Sequence, residues 1–112
     1  MKQELDRNAS EIMDMMLSSE VKADLLVLFH KNPGLIDTID NVARRIGRSG
    51  SAIEKDVKDL AELGILKVRP AGKFEAIYLD RERDSEIQNI IASYLKTLNP
   101  VGEALRAKPA QE

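Results

Sequence analysis

A mainly α-helical domain carrying one small β-hairpin is the fold class this sequence predicts, on three observations. Between Asp37 and Leu79, two short amphipathic segments are separated by Gly47 and followed at once by two strand-like runs. Helix-spaced apolar stripes flank that unit on both sides. The chain has 112 residues, 43% of them hydrophobic, which suits one small domain with a modest core.

The stretch from Lys2 to Leu17 carries Leu5, Ala9, Ile12 and Met16 at alternating steps of four and three, with Met13 and Leu17 widening the stripe, and is predicted to be helical. Ser18-Ser19 interrupts it, and either serine suits the N-cap of the next helix, Glu20 to His30. That helix places Val21, Leu25, Leu28 and Phe29 on one side with Leu26 and Val27 beside them, so it reads as the central core element. Asn32-Pro33-Gly34 ends it, since proline and glycine both oppose continuation. Leu35-Ile36 reads as a very short strand, and Asp37 as the N-cap of a helix Thr38–Ile46 that buries Ile39, Val42, Ala43 and Ile46.

Gly47 suits the left-handed backbone of a tight turn. Ser49 or Ser51 then caps a helix running to Leu63, whose inward face is Ile53, Val57, Leu60 and Leu63. Gly64 ends it. Strands Ile65–Arg69 and Phe74–Leu79 form a hairpin across Pro70-Ala71-Gly72-Lys73. Asp80–Asp84 reads as a charged connection. Ser85, with Gln88 three residues on, is a capping-box pattern opening a last helix striped by Ile87, Ile90, Ile91, Tyr94, Leu95 and Leu98. Asn99-Pro100 stops that helix. The predicted organisation is an N-terminal helix over 1–17, a helix-turn-helix and hairpin over 18–80, a C-terminal helix over 81–98 and a flexible tail over 99–112.

Composition narrows the chemistry. There is no cysteine and one histidine, His30, so disulfides are excluded and neither a structural zinc site nor any other metal or cofactor is expected. His30 sits at a helix end, where it serves as a C-terminal charge partner or as surface, and no serine or carboxylate pattern marks a catalytic partner for it. No enzymatic activity is expected. Met13, Met15 and Met16 read as core or interface filler. No apolar run approaches the ~18 residues of a membrane-spanning helix. The stretch MKQELDRNASEIMDMM lacks the apolar core of a signal peptide, so a cytoplasmic location without membrane contact is expected.

The net charge of −2 does not suggest a polyanion partner, but its distribution does: Val42 to Lys73 carries +4 and the remainder −6. The basic residues are Arg44, Arg45, Arg48, Lys55, Lys58, Lys67, Arg69 and Lys73. Glu54, Asp56, Asp59 and Glu62 oppose them, and read as a solvated helix face paired with Lys55 and Lys58 at helical spacing.

Taken jointly, Ile46-Gly47, the stripe Ile53, Val57, Leu60, the run Leu63-Gly64-Ile65-Leu66 and a basic wing ending in Ile77-Tyr78-Leu79 resemble the winged helix-turn-helix of the ArsR and MarR groups of transcription regulators. The resemblance spans Val21 to Leu98 without insertion. It departs at Tyr78-Leu79-Asp80, where those groups often have Tyr-x-Leu, and at Glu54, where they favour a small polar or basic residue. It implies a sequence-specific regulator that binds double-stranded DNA as a homodimer. The helix from Ser51 to Leu63 would enter the major groove, offering Ser49, Ser51, Ala52, Glu54, Lys55 and Lys58 to base edges and phosphates. Arg44, Arg45 and Arg48 at the turn, and Arg69 and Lys73 on the wing, would contact the DNA backbone. The terminal helices would pair across a two-fold axis through Leu5, Ile12, Met16, Ile87, Ile91, Tyr94 and Leu98. The rival expectation is a winged-helix module that docks on a protein in a larger assembly, kept open by the acidic residues of the groove-facing helix. The sequence specifies no small-molecule effector.

Overall fold

The computed structural model describes residues 2–98, with side chains from Ala9 to Thr97. Five helices and three strands follow one another as α1 (Lys2–Met16), α2 (Glu20–Lys31), β1 (Ile36–Thr38), α3 (Ile39–Arg45), α4 (Gly50–Glu62), β2 (Leu66–Ala71), β3 (Phe74–Leu79) and α5 (Arg81–Leu98). The expected tail, 99–112, and the side chains of Leu5 and Leu98 lie outside the described residues.

The apolar periods place the core where they should. Leu25 and Phe29 of α2, Val42 and Ala43 of α3, and Ile53, Val57 and Leu60 of α4 are buried together with Ile65, Leu66, Ile77 and Leu79. Leu28, Ile39, Ile46 and Leu63 pack against this cluster half-buried. One part of the α2 reading is corrected: Val27 is 52% exposed, so that helix has a solvent side.

Ile12 of α1 and Ile87 of α5 also belong to this core. Ile87 is fully buried and Ile12 only 8% exposed within a single chain. Neither is available to a second copy, which corrects their expected place in a dimer interface. The apolar stripe of a terminal helix tells which face seeks cover, not which surface supplies it.

Local boundaries shift for identifiable reasons. Ser19, in extended backbone, caps α2 by accepting the Lys22 N–H. The short strand is Ile36–Thr38 rather than Leu35-Ile36, because Ile36, Asp37 and Thr38 pair with Tyr78, Ile77 and Ala76. Thr38, not Asp37, is therefore the N-cap of α3, its side chain accepting the Asn41 N–H. Asp37 instead accepts from the Asn41 amide and the Thr38 N–H, and Arg45 Nη2 lies 3.7 Å from its other oxygen.

The sheet order β1-β3-β2 leaves β2 on an edge. Pro70 is tolerated inside β2 for that reason, since an edge strand needs no inward ladder bond from every residue. β2 begins at Leu66 instead of Ile65 and runs through Pro70 and Ala71, so only Gly72-Lys73 separates the strands, and Gly72 takes the positive φ of +65° that so tight a hairpin requires.

The expected charged connection after the hairpin is the first turn of α5. Asp80 Oδ1 accepts the Arg83 N–H at 3.1 Å, doing the capping expected of Ser85, which is exposed inside the helix. Gln88 is used elsewhere: its amide donates to Asp84 Oδ2 at 2.8 Å. Asp84, only 6% exposed, also accepts from His30 Nε2 at 2.9 and 3.0 Å on its two oxygens. His30 is exposed in the last turn of α2, where the sequence puts it, and it has in addition this buried carboxylate partner, which ties the end of α2 to α5.

Candidate nucleic-acid interface

α3 and α4 approach closely because two glycines allow it. Gly47, at φ +72°, stops α3 and reverses the chain, with its N–H and that of Arg48 capping the carbonyls of Arg44 and Ala43 at 3.1 and 2.8 Å. Gly50 begins α4 against the side of α3, where a Cβ would collide with the Asp40 carboxylate. Ser49 is the N-cap by backbone conformation, but its side chain makes no capping bond; its hydroxyl lies 3.3 Å from that of Ser51. Both hydroxyls are exposed at the start of the helix.

With Ile53, Val57 and Leu60 inward, the 100° step between helical residues puts Ser51, Lys55, Lys58 and Glu62 at the middle of the outer face of α4. All four are exposed, as is Ala52 on the flank. Glu54 lies on the other flank, toward the hairpin, where it lines an open notch with Asp40, Ser51, Phe74 and Glu75. Phe74 is 65% exposed there.

Asp56 and Asp59 are half-buried instead of lying on a solvated face, while Asp59 keeps the expected pairing with Lys55 at 3.2 Å. They turn toward α2, where Lys22 Nζ donates to Asp59 Oδ2 at 2.8 Å and lies 3.8 Å from Asp56 Oδ1. The Ser19 hydroxyl donates to Asp56 at 2.7 Å. Nothing in the sequence marks Lys22 for this, because lysine on a helix ordinarily reads as surface. Glu62 remains exposed.

The arginines at the turn divide. Arg44 is exposed and donates to Asn41 Oδ1 at 2.9 Å, and Arg45 is exposed near Asp37. Arg48 is half-buried and donates to Asp24 Oδ2 of α2 at 3.1 Å, so part of its charge is already used within the chain. On the hairpin, Arg69 and Lys73 are exposed, and Arg69 lies over the Tyr78 ring at 5.9 Å. Such an exposed cation–π contact is worth about 0.5–1 kcal/mol, enough to orient the guanidinium without committing it. The turn, the outer face of α4 and the hairpin thus bring Arg44, Arg45, Ser51, Lys55, Lys58, Arg69 and Lys73 to the surface as exposed donors.

Two carboxylates of this region are held below their ordinary range. Asp37 is lowered first by the Asn41 amide, then by the Thr38 N–H and Arg45. Asp59 is lowered first by Lys22, then by Lys55. A depressed carboxyl contributes stability that is present above its unfolded value, near ~3.9, and is lost as pH falls through the folded one. Both carboxyls should therefore titrate below ordinary aspartate in an NMR pH series, and Lys22→Met should move Asp59 upward while leaving Asp37 in place.

No model of a known family matches the chain, and no curated protein is significantly similar to it in sequence. Solved structures are similar to it in fold. A possible transcriptional regulator for arsenical resistance superposes with a TM-score of 0.59 at 22% identity, over 72% of this chain and 80% of that one. A possible transcriptional regulator from Methanosarcina mazei gives 0.58 at 16% identity, over 88% and 86%. MepR, a transcription regulator of the Staphylococcus aureus multidrug efflux pump MepA, gives 0.53 at 10% identity, over 96% and 77%. The chain has the winged helix-turn-helix fold of these regulators.

Proposed function

We propose that the chain is a sequence-specific DNA-binding transcription regulator acting as a homodimer. The observation that carries this reading is the outer face of α4, where Ser51, Lys55 and Lys58 are exposed between the basic turn and the basic wing. α4 enters the major groove, Arg44 and Arg45 hold the flanking phosphates, and Arg69 and Lys73 reach along the wing to the neighbouring backbone. Two copies place two such helices in successive major grooves. The decisive experiment is selection of genomic fragments with the purified protein, followed by a salt series on those enriched. Enriched fragments whose affinity falls steeply with salt support the reading, and no enrichment at low salt overturns it.

The wing gives a separate test. Replacing Arg69 and Lys73 by Ala should weaken every duplex alike and reduce the salt slope by about 0.9 for each phosphate no longer neutralised. A weakening confined to one sequence would assign these residues to base reading.

Pairing between copies falls to what the core leaves over on the terminal helices. Leu95 is 45% exposed and Leu17 76%, and Tyr94, Ile91 and Met16 are half-buried beside them. The protein should sediment as a dimer at micromolar concentration, and Leu95→Glu should shift it toward monomer without unfolding it. A monomer for the unmodified chain removes the two-fold arrangement.

The protein-docking reading has its own observation, the notch in which Asp40, Glu54 and Glu75 surround the exposed Phe74. Carboxylates repel phosphate but suit a basic, partly apolar protein segment. Glu75→Lys separates the two readings, strengthening attachment to DNA and weakening attachment to such a segment.

A further inference from the structure

Lys22 is 3% exposed, and burial strips an ammonium of its hydration, so it is kept only where partners replace the water. Its Nζ donates to Asp59 Oδ2 at 2.8 Å and to the Ser18 hydroxyl at 2.8 Å, with Asp56 Oδ1 at 3.8 Å. Asp59 Oδ2 accepts a second hydrogen bond, at 3.2 Å, from Lys55, whose side chain is 85% exposed. One carboxylate on α4 is thus shared between a lysine sealed beneath the helix and a lysine on its outer face.

The sharing is unequal. The Lys22 bond is shorter and buried. The Lys55 bond is longer and open to solvent, and an exposed pair at this spacing is held weakly. Without Lys22, Asp59 would hold Lys55 as its sole cation, and that lysine's charge would be lost to the face turned to phosphate. With Lys22, the carboxylate is already neutralised from behind.

We propose that Lys22 is a positioning residue for DNA binding, neutralising Asp59 from beneath α4 so that Lys55 is released to the nucleic acid. The inference rests on the DNA-binding reading above. It also explains how a helix carrying Asp56 and Asp59 serves at a phosphate surface, since Asp59 is paired from beneath by Lys22 and Asp56 is turned to the Ser19 hydroxyl.

The test uses four full-length proteins: the unmodified chain, K22M, D59N and K22M/D59N. Methionine keeps the apolar stem of lysine without its charge, and asparagine keeps the shape of aspartate. Affinity for a duplex from the genomic selection is measured over a salt series, with thermal unfolding to confirm folding. K22M should bind about tenfold more weakly near ~0.1 M salt, with a slope reduced by about 0.9, because Lys55 stays on Asp59. D59N should bind at least as tightly as the unmodified chain, and K22M/D59N should return to within about twofold of it, the two charge changes cancelling.

A Lys22 that serves packing alone would behave differently. K22M and D59N would both weaken binding, and the double variant would be no better than K22M. That pattern overturns the inference, as does K22M with unchanged affinity and slope. If K22M does not fold, D59N decides by its sign: tighter or equal binding supports the inference, and weaker binding overturns it. Failure of the unmodified chain to bind any duplex overturns the DNA-binding reading itself, whereas failure of the variant pattern leaves that reading standing.

Discussion

Leu60→Ala should lower the free energy of unfolding by about 2–5 kcal/mol, seen as a lower urea midpoint at unchanged slope. Leu60 is fully buried, and the core around it draws on separate elements: Val42 from α3, Leu25 and Phe29 from α2, Ile77 from β3, and Ile65 just past α4. Its carbonyl also accepts the Ile65 N–H at 3.1 Å, fixing the exit from the helix. Neighbours held by different elements cannot all move into the space of a deleted side chain, so the upper half of the range is the better expectation. Lys58→Ala, two residues earlier on the exposed side, should stay within about 0.5 kcal/mol of the unmodified chain. An unaltered midpoint for Leu60→Ala would mean that a different face of α4 is buried, and the assignment of its outer face would fall with it.

The contrast between those two positions shows which features are legible in the sequence. Ile53, Val57 and Leu60 recur at helical spacing, so the inward face of α4 follows from period alone, and the face opposite follows from geometry. Gly47 and Gly64 mark helix ends because each takes a positive φ, +72° and +85°, that few other residues tolerate. Gly64 has a further reason that spacing does not reveal: a Cβ there would press on Arg83, whose Nε donates to the Leu63 carbonyl at 2.8 Å.

Long-range pairing is not legible. His30 and Asp84 lie 54 residues apart, and a periodic pattern on either helix gives no sign that the two will meet. Lys22 is polar in every hydropathy pattern, yet it is buried because Asp59 and Ser18 converge on it from separate segments. The density of charge in Asp80–Asp84 suggests a connection and hides a cap. Asp80 with Arg83 behind it is a helix start all the same, since any Asp placed before a helical turn can accept a free N–H. Ile87 shows the converse limit: a residue of an apolar stripe that looks surplus to one chain is buried in that chain's own core.

Lys55→Ala should weaken DNA binding, and the effect should be larger at the preferred site than elsewhere if its ammonium reads guanine, by about 1–3 kcal/mol of discrimination. The side chain stands at the middle of the exposed face of α4 and, among the described residues, is tethered only by Asp59. Glu54→Gln serves as its counterpart on the wing-side flank. If Glu54 accepts from cytosine N4, the substitution should erase discrimination at one base pair while leaving other sequences unchanged. If Glu54 acts through charge, as its place in the notch with Asp40 and Glu75 favours, the substitution should tighten binding to all duplexes alike and steepen nothing at a single base. The two outcomes differ in sequence dependence, so competition between the selected site and a scrambled duplex separates them in one titration. Should neither Lys55→Ala nor Glu54→Gln change any affinity, α4 does not lie in a groove, and the acidic notch around Phe74 becomes the surface that engages a partner.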